Sequence, residues 1–196
     1  MITPREPALL LAWTFVGAAG GLVASPPAIA QPGAEEKPPA LSAARLEKAI
    51  HDSVNRERRA QKLKPLAWDG RLAGVARRHS RDMAKRSYFS HESPEGETFS
   101  GRYRRARYIC AVREGKTTYR GAENIWQGSQ YASVKTVSGT KHFDWNSEAK
   151  IARTVVEDWM KSPGHRTNIL TARLTRQGVG LAVAPDLKVY VTQNFC

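Results

Sequence analysis

The order of helical and strand-like segments along the chain is the feature that most constrains its fold. Up to Lys161, apolar residues recur at helical spacing in several segments, as they do at every fourth position from Leu46 to Val54. The C-terminal segment instead has the pattern of two strands, 178–184 and 188–195, separated by a Pro-Asp turn. Because the helices precede these strands and do not alternate with them, the pattern predicts an α+β domain that ends in an antiparallel hairpin.

Capping residues and helix breakers predict where individual elements begin and end. One predicted helix begins after Ser42, and three further helices are predicted over 70–87, 99–108 and 147–161. The sequence Ser162-Pro163-Gly164 is predicted to end the last of them. Residues 128–146 are rich in Ser, Thr and Gly and have no clean periodicity. We therefore expect a loop insertion there, with a short strand at 132–137.

Residues 1–30 have the features of a secretory signal. Arg5 precedes an apolar run over 9–24, and Ala28-Ile29-Ala30 matches a small-residue cleavage site. A transmembrane anchor is the alternative, but this run of 16 residues is shorter than the roughly 20 that a spanning helix needs. We predict cleavage after Ala30, a secreted or periplasmic location and no transmembrane anchor. A Pro-rich spacer at 31–41 and one domain at 42–196 would follow.

The balance of charge suggests polyanionic surroundings. The chain has 31 Lys and Arg against 18 Asp and Glu, a net charge of +13. Nucleic acid, anionic lipid and acidic cell-wall polymer all suit that sign, and solvated helix faces are the plainer alternative. Export makes nucleic acid an unexpected partner, and the sequence has no RNP, zinc-finger or helix-turn-helix signature. We therefore expect an anionic envelope polymer, a lipid or another extracellular ligand, and leave the oligomeric state open.

The two cysteines, Cys110 and Cys196, are an even pair in a chain with an export signal, which predicts a disulfide rather than two free thiols. The bond would tie the C-terminal residue to the middle of the chain. On the chain-entropy model it would contribute roughly 4 kcal/mol to stability. Two cysteines alone cannot form a structural zinc site.

Catalytic signatures are sparse. The sequence has no GxSxG, HExxH, P-loop or GxGxxG motif, which leaves α/β serine hydrolase, zincin and nucleotide chemistry without support. Three titratable residues do lie between apolar anchors and Gly or Pro turns, as a site built on loops requires: His91, Glu123 and His165. Spacing alone does not separate a functional role from capping and turn roles, which use the same residue types.

Six segments taken together resemble the CAP superfamily, which groups cysteine-rich secretory proteins, insect antigen 5 and plant pathogenesis-related proteins. Within it, the bacterial branch of secreted SCP-like domains is the nearer match. The segments are Val54-Asn55-Xaa-Glu57-Arg58, Pro65-Leu66-Xaa-Trp68, Phe89-Ser90-His91, Gly121-Xaa-Glu123-Asn124-Ile125, Trp159-Met160-Xaa-Ser162-Pro163-Gly164-His165-Arg166-Xaa-Asn168-Ile169-Leu170 and Tyr190-Val191-Thr192-Gln193-Asn194-Phe195. The resemblance covers residues 42–196 and implies a three-layer α-β-α sandwich.

The resemblance also implies a cleft with two histidines and two acidic residues, which in some members binds zinc or another divalent cation. Carried over by motif, the histidines are His91 and His165, candidates for both catalysis and metal binding, and the first carboxylate is Glu123. The second carboxylate position is occupied by Ser162, so three of the four positions match. With Glu123 as third ligand, zinc would keep a position open for water; alternatively, Glu123 only orients a histidine.

Three further residues of the matched segments are candidates for ligand binding: Asn124, Ser162 and Arg166. For Asn124 and Ser162, capping or turn roles are the alternatives. Arg166 would contact an anionic ligand at the mouth of the cleft, and a plain surface role is its alternative.

Taken together, the sequence predicts an exported module that binds an envelope or extracellular ligand, a glycan or a lipid, through the His/Glu cleft and a basic face. A metal-assisted hydrolase of peptidoglycan or peptide, which would use His91, His165 and Glu123, is the first alternative. A protein–protein adhesion or signalling module that uses the 128–146 loop is the second.

Overall fold

The structure is a computed structural model that describes residues 37–196. Its helices are α1 (Ala43–Ala60), α2 (Gly70–Arg86), α3 (Phe99–Arg105), α4 (Glu148–Lys161) and α5 (Pro163–Leu170). Its strands are β1 (Ala67–Trp68), β2 (Val112–Glu114), β3 (Thr117–Tyr119), β4 (Ala122–Ser129), β5 (Tyr131–Val137), β6 (Thr140–Trp145), β7 (Arg176–Val183) and β8 (Lys188–Phe195). The predicted signal at 1–30 and most of the predicted spacer at 31–41 lie outside the described residues. Within 37–196, no helix combines the length and apolar character needed to cross a bilayer.

Four strands form the main sheet in the order β1-β7-β8-β4. β1 runs parallel to β7, and the other neighbouring strands are antiparallel. The predicted C-terminal hairpin is β7 and β8, and it occupies the middle of the sheet, where β8 is buried from Val189 to Phe195. The fold is therefore α+β with a C-terminal antiparallel hairpin, as predicted.

Side chains of β7 alternate between two helical layers. Val179 and Leu181 belong to the core that β7 shares with α1 and α4, whereas Gly178 and Gly180 face α2. A Cβ at either glycine would lie 2.0–2.1 Å from a backbone nitrogen of α2, so only glycine allows the helix and the strand to approach this closely. Helices on both faces of the sheet form the three-layer sandwich that the resemblance implied.

The first two helices begin where the sequence predicts because each has a side-chain cap. Ser42 caps α1 by accepting a hydrogen bond from one backbone N–H group of the first turn, and Asp69 caps α2 by accepting from two. The predicted inner stripe of α2, which includes Leu72 and Met83, is buried. This stripe places α2 on the sheet beneath the loop that leads to His91.

The segment 128–146 is not the loop insertion that its composition predicts. Its first residues complete β4, and the rest forms a separate hairpin of β5 and β6, of which the predicted strand at 132–137 is a part. Ser138 and Gly139 both have positive φ (49° and 81°), as the two-residue turns of hairpins require. The ring of Tyr131 on β5 packs edge-on against the ring of Phe143 on β6, with centroids 5.2 Å apart. This aromatic pairing supports strands whose polar residues hide the alternating pattern.

One helix end and one additional helix also differ from the prediction. α3 ends at Arg105 rather than Tyr108, because Arg107 has a positive φ of 50° that interrupts the helical backbone. α4 ends at Lys161, as the Ser162-Pro163-Gly164 sequence predicts, but Pro163 also begins an unpredicted helix, α5, in which its missing N–H removes no intrahelical hydrogen bond. The short helix that results carries His165.

The predicted disulfide joins Cys110 and Cys196, whose Cα atoms are 5.6 Å apart. Both cysteines are buried in a cluster with Tyr103 and Tyr108. The bond therefore connects the end of the central strand β8 to the segment that follows α3.

Candidate functional site

Three segments of the chain bring the two predicted histidines and the carboxylate together. His91 lies in the loop between α2 and α3, Glu123 lies in β4, and His165 lies in α5. The Nδ1 atom of His91 is 3.0 Å from Oε1 of Glu123, and the ring centroids of His91 and His165 are 6.2 Å apart. The Glu123 side chain is 1% exposed and that of His91 48%. A buried acid thus supports an imidazole that a ligand can reach.

A buried arginine, Arg102 of α3, compensates the charge of Glu123. Its Nη2 lies 2.8 Å from each carboxylate oxygen of Glu123. The guanidinium also donates to the backbone oxygens of His91 and Glu97, each at 2.9 Å. The side chains of Arg102 and Glu123 are only 3% and 1% exposed. The pair therefore holds the carboxylate and ties it to the backbone at His91.

Both oxygens of Glu123 have further partners. Oε1 faces Nδ1 of His91. The side-chain amide of Asn194 donates to Oε2 at 3.1 Å when it is oriented so that both its nitrogen and its oxygen have hydrogen-bond partners. A carboxylate whose two oxygens both accept from an arginine is an acceptor toward its other neighbours too, so Nδ1 of His91 is the donor. In the neutral ring, Nε2 is then the nitrogen with a lone pair for a ligand.

Buried amides fix α5, and with it His165, against β4. The Asn124 side chain donates to the backbone oxygen of His165 at 3.3 Å and to Oε1 of Gln193 at 3.1 Å. Asn168 of α5 donates to Oδ1 of Asn124 at 2.9 Å and to the backbone oxygen of Glu123 at 3.2 Å. These four bonds set the position of His165 relative to His91.

Burial favours neutral imidazoles in this part of the molecule. It lowers the pKa of His165, and repulsion from His91 lowers it further. Burial also lowers the pKa of His79 to about 4. Nε2 of His79 donates to the backbone oxygen of Ser90 at 3.0 Å, so this neutral ring supports the loop that carries His91.

A cavity of about 450 Å³ opens beside His91 and Glu123. Phe99 of α3 contributes an apolar wall, and Asn168 of α5 contributes a polar one. The volume is within the range of small-molecule sites, which combine apolar walls with a few placed polar groups. The cleft has room for a small molecule or for one unit of a polymer.

The residues present match a metal site only in part. The contact of Glu123 with Nδ1 of His91 has the form of the outer carboxylate that orients a metal-binding histidine. Among residues 37–196, however, no three His, Cys, Asp or Glu side chains are arranged to hold a metal ion. Catalytic zinc uses three protein ligands, and Arg102 already engages Glu123. Glu123 thus has the geometry of an orienting group, and binding of zinc by His91 and His165 stays a prediction.

The three residues predicted to contact a ligand take different places. Asn124 is fully buried, and its contacts are with α5 and the sheet. Ser162 joins α4 to α5, and its side chain makes no capping hydrogen bond to α5. Arg166 is exposed and directly follows His165. Ligand contact by any of the three stays a prediction.

Sequence reasoning missed Arg102, although a signal for it exists. Phe99, Arg102, Tyr103 and Ala106 are spaced as one face of a helix, and the apolar members of that set pack in the core beside Cys110. An arginine at the centre of an apolar stripe needs a buried partner of opposite charge. The neighbouring exposed arginines of α3 hid this pattern.

Comparison with known proteins points to one family. The model of the CAP domain, described as the cysteine-rich secretory protein family, matches residues 51–195. The Bacillus subtilis protein YkwD is 33% identical over 141 residues, which are 71% of this chain and 43% of that protein. The chain thus spans less than half the length of this curated relative.

Two solved structures share the architecture. An extracellular SCP-domain protein from Bacillus anthracis is 29% identical, with a TM-score of 0.54 over 78% of this chain and 40% of that one. An outer surface protein of Borrelia burgdorferi has a TM-score of 0.59 over 79% of this chain and 94% of that one. At 15% identity, the second likeness concerns the fold alone.

Proposed function

The chain belongs to the CAP family of cysteine-rich secretory proteins, and from this premise we propose that it is an exported module that binds an envelope or extracellular ligand, a glycan or a lipid, in the cleft at His91 and His165. The observation that carries the proposal is the environment of Glu123, which is buried and bonded at both oxygens to Arg102. A carboxylate engaged in this way fixes the geometry of its neighbours and is poorly placed to take up a proton during a reaction.

The cleft supports binding because it combines three kinds of contact. With Nδ1 of His91 directed at Glu123, Nε2 is the ring nitrogen that faces a ligand, and the half-buried His165 ring lies across from it. Phe99 adds an apolar surface within the same cavity. Hydroxyl and headgroup ligands use such a mixture of polar and apolar contacts.

Exposed cations adjoin the cleft and would extend its contact with an anionic polymer or lipid. Arg104 and Arg120 line one shallow concavity, and Gly121, next to Arg120, lines the cleft itself. Arg107, Arg113 and Lys116 are exposed in the same part of the chain. Attraction of an anionic surface to this basic face would weaken as ionic strength rises.

Export of the chain rests on two observations. Residues 1–30 have the pattern of a signal peptide, and the related SCP-domain protein from Bacillus anthracis is described as extracellular. Anionic envelope polymers and lipids are the partners that a basic exported protein meets.

The test is co-sedimentation of the purified protein with cell-wall sacculi and, in parallel, with vesicles that contain anionic lipid. Mass spectrometry follows the release of soluble muropeptides. We expect pelleting with one of the two materials, no released fragments, and loss of pelleting in His91→Ala and His165→Ala. His142→Ala is the matched control, because His142 is an exposed histidine on β6, in the separate hairpin.

Two outcomes would replace this function. Release of muropeptides by the wild type, but not by Glu123→Gln, would make the protein a hydrolase. Pelleting that is unchanged in His91→Ala and His165→Ala but is lost at high salt would assign binding to the basic face alone.

A further inference from the structure

A second pocket lies at the edge of the main sheet opposite the cleft. The cleft is at β4, whereas this cavity of about 410 Å³ is formed by α1, β1 and α2. Because the strand order is β1-β7-β8-β4, the width of the sheet separates the two cavities. The second cavity, here named the Trp68 pocket, has as its polar and aromatic lining Glu47, Lys48, His51, Asp52, Trp68 and Arg77.

Trp68 gives this pocket an apolar wall that is held in place from two sides. The residue is 40% exposed although its backbone is paired with Gln177 of β7. The ring of His51 packs edge-on against the indole, with centroids 5.4 Å apart. Nε2 of Gln177 in turn donates to Nδ1 of His51 at 2.8 Å. A large aromatic ring is thus both accessible and fixed, the arrangement in which stacking loses little side-chain entropy.

The charges around Trp68 cancel in pairs. The fully buried carboxylate of Glu47 is bonded at both oxygens to Arg77, with Nε of Arg77 2.8 Å from Oε1. On the exposed rim, Nζ of Lys48 is 2.6 Å from Oδ2 of Asp52. Burial lowers the pKa of His51, which favours its neutral form. A charged ligand would have to compete with an existing ion pair, whereas a neutral ligand would not.

The exposed side chains of these ion pairs can still form further hydrogen bonds with a ligand. Arg77 has five N–H donors and is 42% exposed, and Lys48 and Asp52 are 74% and 45% exposed. Hydroxyl groups both donate and accept, so a set of adjacent hydroxyls can use both rim charges at once. Neutral sugar rings pair such hydroxyls with an apolar C–H face that fits a flat indole.

We propose that the Trp68 pocket binds a neutral saccharide ring that stacks on Trp68 and bonds through its hydroxyls to Arg77, Lys48 and Asp52. This site is separate from the cleft at His91 and goes beyond the function proposed for that cleft. It would be occupied whether or not the cleft itself binds a glycan.

The experiment is calorimetric titration of the purified protein with neutral oligosaccharides, chitotetraose and maltotetraose, and with tetragalacturonate as an anionic oligosaccharide of equal length. We expect a neutral oligosaccharide to bind and Trp68→Ala to weaken it at least about tenfold. Trp145→Ala, which removes a tryptophan of the separate hairpin, should leave the affinity unchanged. His91→Ala is measured alongside these variants, because it removes a contact of the other cavity and so separates binding in the Trp68 pocket from binding in the cleft.

A second variant protects the test against a folding defect in Trp68→Ala. Lys48 and Asp52 are exposed and paired with each other, so Lys48→Ala/Asp52→Ala removes rim contacts with no change in net charge. It should weaken the same oligosaccharide. Failure of both neutral sugars to bind, tighter binding of tetragalacturonate, or a loss seen in His91→Ala but not in the pocket variants would each overturn the proposal. The last result would assign the sugar to the cleft and leave the function proposed there intact.

Discussion

Replacing Arg102 with methionine tests the central structural claim about the cleft, which is that an arginine holds Glu123 as a support for His91. Methionine keeps a long unbranched stem and a similar helix propensity, so α3 itself is little affected. It removes the two contacts with the carboxylate and the two with backbone oxygens of the His91 loop.

The expected loss follows from the burial of the pair. With side chains only 3% and 1% exposed, water cannot replace the lost partner. Breaking a buried ion pair by removing one member costs about 3–5 kcal/mol, because an uncompensated charge remains inside the protein. For a domain of this size, the melting temperature of Arg102→Met should fall by roughly 6–20 °C at pH 7.

Urea unfolding at pH 7 and in mild acid measures this loss. The difference from wild type should shrink as the pH falls, because protonation removes the charge from the isolated carboxylate of Glu123. The double variant Arg102→Met/Glu123→Gln should recover part of the loss for the same reason. Arg105→Met is the matched control: it lies in the same helix, but its ion pair with Glu97 is exposed, and its effect should stay within about 0.5 kcal/mol.

The reasoning would be refuted by equal losses in Arg102→Met and Arg105→Met. It would also be refuted if the double variant were no more stable than Arg102→Met, since the cost would then come from packing and not from a buried charge.

Other buried groups and the cleft histidines give four more expectations. Gln193→Leu should lower the free energy of unfolding by about 1–3 kcal/mol in urea titrations, because it removes one hydrogen bond from the buried amide on each of its sides, Asn124 and Gln177. His79→Gln should make the stability profile less steep between pH 6.5 and about 4: in this window His79 binds a proton in the unfolded chain but not in the folded protein, so the wild type loses more stability than the variant as the pH falls. Reduction of the Cys110 disulfide, with a sequence separation of 86, should cost roughly 4 kcal/mol, and calorimetry with and without reductant measures it. Zinc should raise the melting temperature of the wild type but not of His91→Ala if the two cleft histidines bind it, and an unchanged wild type would contradict that prediction.

The three long helices α1, α2 and α4 were predictable because their sequence signals are local. Leu46, Ile50 and Val54 recur at helical spacing and are all fully buried, and Ser42 caps the helix that they define. The strand β4 was not predicted, because its buried positions include polar residues and its periodicity is blurred. Such residues become interior only when neighbouring strands supply their hydrogen bonds, which is information that lies far away in the chain.

The site shows the same division between motif and environment. His91, Glu123 and His165 could be named from short motifs, and the fold brings them together as the family resemblance implies. The role of Glu123 could not be derived, because it depends on Arg102, which comes from another element and looks like one more cation of a basic helix. Only the placement of α3 shows that this arginine is buried.

A row of buried amides explains how a single sheet positions both cavities. Gln177, Gln193 and Asn124 lie on three neighbouring strands, are fully buried, and form a chain of hydrogen bonds that runs from His51 to α5. Burying an amide without a hydrogen-bond partner costs free energy. Each of these amides therefore favours the position of the neighbouring strand that supplies its partner. His51 supports the wall of the Trp68 pocket, and α5 carries one side of the cleft. Gln193 lines neither cavity and yet links the two ends of the row, which makes it a positioning residue for both.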